Sequence, residues 1–536
     1  MKLDYKKTFY VGLAFFIITI FWQTYDSIIT KILIDKFGLN QTWSGVVMAL
    51  DNVLALFMLP LFGAISDKTN HKLGRRTPYV IIGTVVAAFA FIGLSFVDNV
   101  QTLRIENSEN NIIERYELVR DTEDDVRDNV VFWNLLIVEM KLERDNALLS
   151  SEIDQKQYDA WESDVYVKMQ EVMSGRLLGD VTPLELSYLD GFYHIYLSNL
   201  AWQITAANPV NFIVFVGVLL IALIAMSVFR SPAVSLMPDV TVKPLRSKAN
   251  AIINLMGAAA GVTSLVLLTV FGLGGRSYVN YTMAFVSVGF IMLLVLAFFL
   301  WKVKEPKMVE QREKDDVKFG LIEDETEVHD MHELPRDKKI SLYLILGSVF
   351  LWFMGYNAVM TKVSDYAPKI LQLPSFTLPL LVANVTAIIA FIPIGILSTK
   401  FGRRKTILAG IVLLTLCFGS VFFLTKDTGW VMFIVFGLTG IGWATINVNS
   451  YPMVVELAKG SNVGKYTGYY YSFSMAAQIL TPILSGYLMD AINPKMLFPY
   501  ATFFVAAAFI TMFFTKHGDS KAEKKTILEN FDVDMD

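Results

Sequence analysis

Twelve runs of about twenty apolar residues, separated by polar connectors, leave this chain few folds to choose from. They lie near 9–34, 43–65, 78–97, 209–237, 249–271, 279–301, 341–361, 377–398, 406–425, 430–450, 466–488 and 496–515. Runs of this length read as helices that cross a bilayer, because in hydrocarbon a helix satisfies every backbone amide within its own segment. Of the 536 residues 54% are hydrophobic and 18% charged, with a mean hydropathy of +0.47, too apolar for a soluble globular protein. The predicted fold class is an all-α membrane protein: twelve transmembrane helices in two pseudo-symmetric six-helix bundles.

Charge sets the expected orientation. With both termini cytoplasmic, the inner segments hold 29 of the 46 Lys and Arg residues. The short outer loops hold 7: Lys31, Lys36, Arg276, Lys362, Lys369, Lys426 and Lys495. That asymmetry follows the positive-inside rule. The first run lacks a small-residue cleavage site and continues through Gln23, Thr24, Tyr25 and Asp26, so a retained span is expected rather than a signal peptide. The single cysteine, Cys417, excludes a disulfide within the chain. The net charge of -4 is segregated by side and gives no sign of a nucleic-acid partner.

Two polar stretches interrupt the spans. Residues 98–208 carry 22 acidic against 9 basic residues and fall between spans three and four, outside the cell. Helical spacing of apolar residues over 132–149 and 184–202 predicts amphipathic helices packing into a cap. Residues 302–340, rich in both signs, read as a solvated cytosolic linker mostly without its own core. The expected organisation is an N-terminal bundle over 1–301 containing the 98–208 insert, the 302–340 linker, a C-terminal bundle over 341–515 and a cytosolic tail over 516–536.

The connector after span two carries Gly63, Asp67, Gly74, Arg75, Arg76 and Pro78. A second copy, Gly395 to Lys405 with Gly402, Arg403 and Arg404, follows span eight. Two copies about half a chain apart point to an internally repeated transporter. The first copy resembles the G-x-x-x-D…G-R-R loop between spans two and three of the major facilitator superfamily. The second departs from it, with Thr399 where the acidic residue would stand.

Ionisable residues within spans are costly and so are functional candidates. Asp26 and Asp51 lie roughly 12 Å below the outer ends of spans one and two, and Arg230 roughly 12 Å above the inner end of span four. In a core of about 30 Å this leaves about 6 Å of height between them, within an arginine's reach. They are predicted to form a charged centre in the N-terminal half. Desolvation and a neighbouring arginine act on a carboxylate's proton affinity in opposite senses, the tuning that a proton site needs.

Polar and aromatic stripes run at helical spacing around this centre. Thr19, Trp22, Gln23 and Asp26 share a face of span one, and Asn250 and Asn254 continue into Gly257 and Gly261 on span five. In the second half the stripes are Trp352, Tyr356 and Asn357; Trp443, Asn447 and Tyr451; and Tyr470, Tyr471, Ser474 and Gln478. Amides and hydroxyls match sugar hydroxyls, and flat rings suit the apolar faces of pyranoses. The expected substrate-binding residues are Trp22, Gln23, Asn254, Trp352, Tyr356, Asn357, Trp443, Asn447, Tyr471 and Gln478.

A second resemblance narrows the class. Arg230 to Asp239, followed by Arg246 to Asn250, is similar to the span-four-to-five region of sucrose transporters and of glycoside-pentoside-hexuronide cation symporters. Leu351 to Asn357, and Tyr451 to Glu456 with Tyr466 to Gly468, resemble the sucrose-transporter-like branch. Where melibiose-type symporters carry a sugar-binding aspartate, this chain has Arg230, so their sodium site and galactoside selectivity are not carried over. The sucrose-like branch implies proton symport of a glucoside, with a disaccharide such as sucrose or maltose as substrate and the protein functional as a monomer in the cell membrane. Sodium coupling, export of another solute and a non-transporting sugar sensor stay open.

Other motifs carry no chemistry. Gly460 to Tyr466 lacks the spacing and hydroxyl residue of a P-loop, the five histidines form no metal set, and no cofactor or enzymatic activity is indicated. Gly257 and Gly261 read as a close helix-packing pair.

Overall fold

The computed structural model of the chain describes residues 3–108, 126–151, 153–167, 170, 198, 200–242, 245–274, 280–319, 335–371, 373, 375–425, 428–457 and 463–518. Their regular structure is helical, with no strand among the described residues. The helices are α1 (Tyr5–Lys31), α2 (Gln41–Lys68), α3 (Thr77–Ser108), α4 (Val126–Leu149), α5 (Gln155–Trp161), α6 (Val210–Val240), α7 (Arg246–Val270) and α8 (Thr282–Lys302). They continue as α9 (Glu305–Lys318), α10 (Arg336–Ile370), α11 (Thr377–Phe401), α12 (Arg403–Val421), α13 (Val431–Leu457), α14 (Val463–Ala491) and α15 (Leu497–Phe513).

Ten of these segments are long and apolar enough to cross a membrane: all the long helices at expected spans except α11 and α14. In α11 the apolar part is the shorter Thr377–Phe391. Pro60, Pro232, Pro238, Pro368, Pro393, Pro452 and Pro482 sit inside helices without ending them, as membrane helices tolerate.

Two compact units make up the chain: Met1–Ile32, Asn40–Val97 and Ile213–Asp536 form one, Leu33–Leu39 and Asp98–Phe212 the other. In the first unit α1 packs on α7, α2 along α14, and α7 along α11, so helices before the central linker meet helices after it. Asp4 and Asn40 cap α1 and α2, accepting from the amides of Lys7 and Trp43 at 3.0 and 2.8 Å. Gly12 lets α1 come close to α7, since a Cβ there would stand 2.9 Å from Met256 Cγ, whereas at Gly261 a Cβ would meet Gln23 Oε1 at an ordinary 3.5 Å. The core of the second half is apolar and aromatic, with Trp352, Val359, Phe418, Phe436 and Phe498 fully buried.

In the second unit Lys36 is buried and donates to Asp98 Oδ2 at 2.8 Å and to Thr102 Oγ1 at 2.9 Å. Gln101 Nε2 reaches the carbonyl of Lys36 at 2.9 Å and Thr205 Oγ1 at 3.2 Å. On α4, Lys141 points among the rings of Tyr158, Trp161 and Tyr166 and pairs with Glu162 at 2.7 Å. Of the two amphipathic helices expected in the insert, 132–149 lies within α4, whereas most of 184–202 lies outside the described residues.

The linker, expected to be solvated and mostly without its own core, carries a helix: residues 305–318 form α9, with Pro306 in its first turn and Lys314 paired to Glu310 at 2.6 Å. One expectation needs correction. Lys31, Lys362 and Lys369, counted with the outer loops, lie on helices instead. Lys31 ends α1, Lys362 and Lys369 lie on α10, which runs past the end of its apolar stretch, and Lys31 and Lys362 are fully buried.

Candidate functional site

The sites expected from the sequence fall into three groups. The first is the connector between α2 and α3. Arg76 donates through Nε to Asp239 Oδ2 at 2.8 Å, through Nη1 to Ser66 Oγ at 2.6 Å and through Nη2 to Asp67. Arg75 shares Asp239, with Nη2 2.9 Å from Oδ1. Burial works against the charge of Arg76, but the hydrogen bonds and charges of Asp239 and Asp67 outweigh it and hold the guanidinium above its ordinary value.

A carboxylate that sequence reading left in the linker completes this group. Glu305, 1% exposed, accepts from the backbone amides of Arg75, Arg76 and Thr77 at 2.8 to 3.1 Å and from the Thr77 hydroxyl at 2.7 Å. It caps α3 from the far side of the half, satisfying amides that a helix N-terminus leaves open. Gly74 has φ +106°, and a Cβ there would lie 2.2 Å from the Glu305 carboxyl carbon, so both the backbone and the space call for glycine. The second copy is built differently. With no acid at position 399, Arg404 donates to the carbonyls of Met512, at 3.4 Å, and Phe513, at the end of α15. Gly402 has φ +92°, and Arg403 is buried.

The second group lies partway along the helices of the first half. The guanidinium carbon of Arg230 is 6.0 Å from the ring centroid of Trp22, and its charge acts on Asp51, which in turn acts on Asp26. Asp51 also accepts from Asn52 Nδ2 at 2.7 Å. Four side chains from α1, α2 and α6 thus share one electrostatic neighbourhood. Gln23 Nε2 donates to Ser27 Oγ at 3.3 Å, and Asn254 is buried on α7.

The third group is aromatic and belongs to the second half. Tyr356 of α10 stacks on Trp443 of α13, and Phe353 meets the same indole edge-on, with centroids 5.3 Å apart. Tyr451, Tyr470 and Tyr471 cluster where α13 meets α14, and Ser450 Oγ lies 3.0 Å from Tyr470 Oη. Asn447 is buried on α13, and Gln478 is half-buried two turns beyond Tyr471. Trp352 stands apart: it is fully buried in the apolar core. Trp22 Nε1 and Asn357 Nδ2 are buried donors that no hydrogen bond satisfies, one in each half. Such donors are costly unless something accepts from them.

The family Major Facilitator Superfamily matches residues 195–386 and 374–533, and MFS/sugar transport protein matches residues 10–103. The chain belongs to the major facilitator superfamily. Solved structures of the same fold agree with that membership. The xylose transporter XylE from E. coli, in an inward-open conformation, is 13% identical with a TM-score of 0.56, covering 98% of each chain. A D-xylose-proton symporter is 13% identical with a TM-score of 0.53, over 95% of this chain and 98% of that one. The nucleoside transporter NupG is 9% identical with a TM-score of 0.53, over 94% and 98%. No curated protein sequence matches the chain. A member of this superfamily is a membrane transporter of small solutes, and the connector motif and the paired halves fit that membership.

Proposed function

We propose that the chain takes up a small glycoside, a disaccharide such as sucrose or maltose, by proton symport through alternating access of two six-helix halves. In this reading twelve helices cross the cell membrane, both termini are cytoplasmic, the 98–208 insert lies outside, and the protein works as a monomer. Asp26, Asp51 and Arg230 carry the coupling. The observation that supports it is that Arg230 lies 6.0 Å from the Trp22 ring and acts by charge on Asp51, as Asp51 does on Asp26, partway along three helices of one half, opposite in character to the neutral aromatic group of the other half. A polar, ring-shaped solute would present oxygen atoms to the buried donors of Trp22 and Asn357 and an apolar face to the Tyr356–Trp443 pair. The match of residues 10–103 to a sugar-transport family points the same way.

Coupling is tested in reconstituted vesicles. Asp51→Asn should abolish concentrative uptake while leaving exchange of labelled for unlabelled sugar intact. If concentrative uptake survives, Asp51 is a structural partner of Arg230 and not a coupling group. Ligand-dependent thermal shifts across a panel of disaccharides would identify the substrate, and binding without flux would mark a sensor.

A further inference from the structure

The first turn of α2 is held by two helices of the other half. Asp490, at the end of α14, accepts from the amides of Gln41 and Thr42 at 3.0 and 2.7 Å and from the Thr42 hydroxyl at 2.5 Å. From α10, Lys362 Nζ donates to the Gln41 carbonyl at 2.7 Å and to Ser44 Oγ at 2.8 Å. Asp365 Oδ2 accepts from Gln41 Nε2 at 2.5 Å, while its Oδ1 holds Lys369 at 2.6 Å.

The backbones themselves come close here. A Cβ on Gly45 would lie 2.1 Å from the Pro482 carbonyl oxygen, and one on Gly486 would lie 2.3 Å from that of Gln41. Glycine on each helix therefore admits the backbone of the other. A second seam joins α7 to α11, where the Phe376 amide donates to the Gly274 carbonyl at 2.8 Å and Thr269 Oγ1 meets Thr377 Oγ1 at 2.8 Å. Lys31, at the same end of α1, lies over the Phe376 ring and acts electrostatically on Asp365.

We propose that these contacts form the latch closing the transport pathway at the Lys31 end of α1, with Lys362 and Asp490 as its positioning residues. The inference rests on the alternating-access reading and names the contacts that must break in it. The chemistry suits a reversible closure. The open amides of a helix N-terminus need acceptors, a carboxylate there is favoured by the helix dipole, and each of these bonds exchanges for water at small net cost. Lys362 and Asp365 are buried with the halves in contact at this end. Separation would return both to water and uncover the α2 face that carries Ser44 and, one turn further in, Met48.

The test needs no substrate. In purified protein in lipid nanodiscs, with the single native cysteine removed by Cys417→Ala, a reporter cysteine is introduced by Met48→Cys; Met48 is 3% exposed. Its rate of reaction with a charged maleimide reads how often this end opens. Asp490→Asn and Lys362→Gln should each raise the rate about tenfold as the closed population falls. Thr42→Val, which removes one hydroxyl bond and no charge, should raise it less. Fractions eluting as folded monomer are compared, so a misfolded variant does not count as open. Equal rates in all three variants and the parent overturn the proposal. A raised rate in a protein that moves no disaccharide keeps the latch and rejects the proposed substrate.

Discussion

Tyr356 lies flat against Trp443, with ring centroids 3.6 Å apart and planes 5° from parallel. The pair joins α10 to α13 and leaves one face of each ring for other contacts. Stacked pairs contribute about 0.5–1.5 kcal/mol beyond the area they bury. Trp443→Leu should therefore weaken ligand binding by roughly tenfold, the equivalent of about 1.4 kcal/mol, while Tyr356→Phe keeps the stack and most of the affinity. Ligand-induced thermal shifts would check both, and an unchanged shift in Trp443→Leu would remove the pair from the binding site.

Arg230 and Asp51 should depend on each other. Arg230→Met leaves Asp51 without its neighbouring cation and should lower the yield of folded monomer. Adding Asp51→Asn should restore that yield, with a coupling of about 0.5–3 kcal/mol in a double-mutant cycle. Arg230→Lys keeps the charge and replaces the guanidinium that lies 6.0 Å from the Trp22 ring, a change of about 0.5–1 kcal/mol, so it should fold well and transport slowly. Additive effects of the two single substitutions on thermal stability would count against the coupling.

Gly74 and Glu305 make a third prediction. Gly74→Ala forces a left-handed backbone on alanine at φ +106° and drives a methyl group into the Glu305 carboxylate. Strained backbones of this kind cost about 1–3 kcal/mol. Glu305→Ala strips the acceptor from three amides, at about 1–3 kcal/mol for each buried group left unpaired. The double variant should lose less than the sum, because the clash disappears with the carboxylate. Thermal unfolding in detergent measures all three.

The insert offers a test by pH. Burial is the largest single influence on Lys141 and lowers its proton affinity, but Glu162, Tyr158 and Asp145 together outweigh it and hold the ammonium above its ordinary value; Asp145 likewise raises the Tyr158 phenol. A group whose folded-state value is raised gives stability that is complete below its unfolded value and is lost as pH climbs through the folded one. Resistance of the insert to limited proteolysis should therefore hold through neutral and mildly alkaline pH and fall only in strong alkali. Lys141→Met should be cut faster at neutral pH and should lose the alkaline step.

Much of the architecture was legible from local pattern. Apolar runs marked every long helix outside the insert, and the connector from Gly63 to Arg76 stood out by its motif, although the tie between Asp67 and Arg76 came only with the structure. Glu305 was not legible, because its contact with Arg75 and Thr77 spans some 230 residues and local charge made it look like linker. Lys362 was read as a loop residue because a hydropathy run stops at a charge, whereas a helix continues wherever the charge finds partners, here Gln41 and Ser44 across the interface. Spacing placed Trp352 and Tyr356 on one stripe, but a single turn separates an indole sealed in the core from a phenol stacked on Trp443. Periodicity fixes which residues share a face and says nothing of where along it the core ends.

Glu305 is linker by position and first half by contact. Its carboxylate travels with the α2–α3 connector, so a polypeptide severed after Phe319 would yield a front fragment that keeps the acid it needs. Co-expressed as two separate pieces, the halves could then reassemble along α2 and α14. A cut before Lys304 would hand the acid to the wrong fragment, leaving Gly74 facing an empty notch and three amides bare.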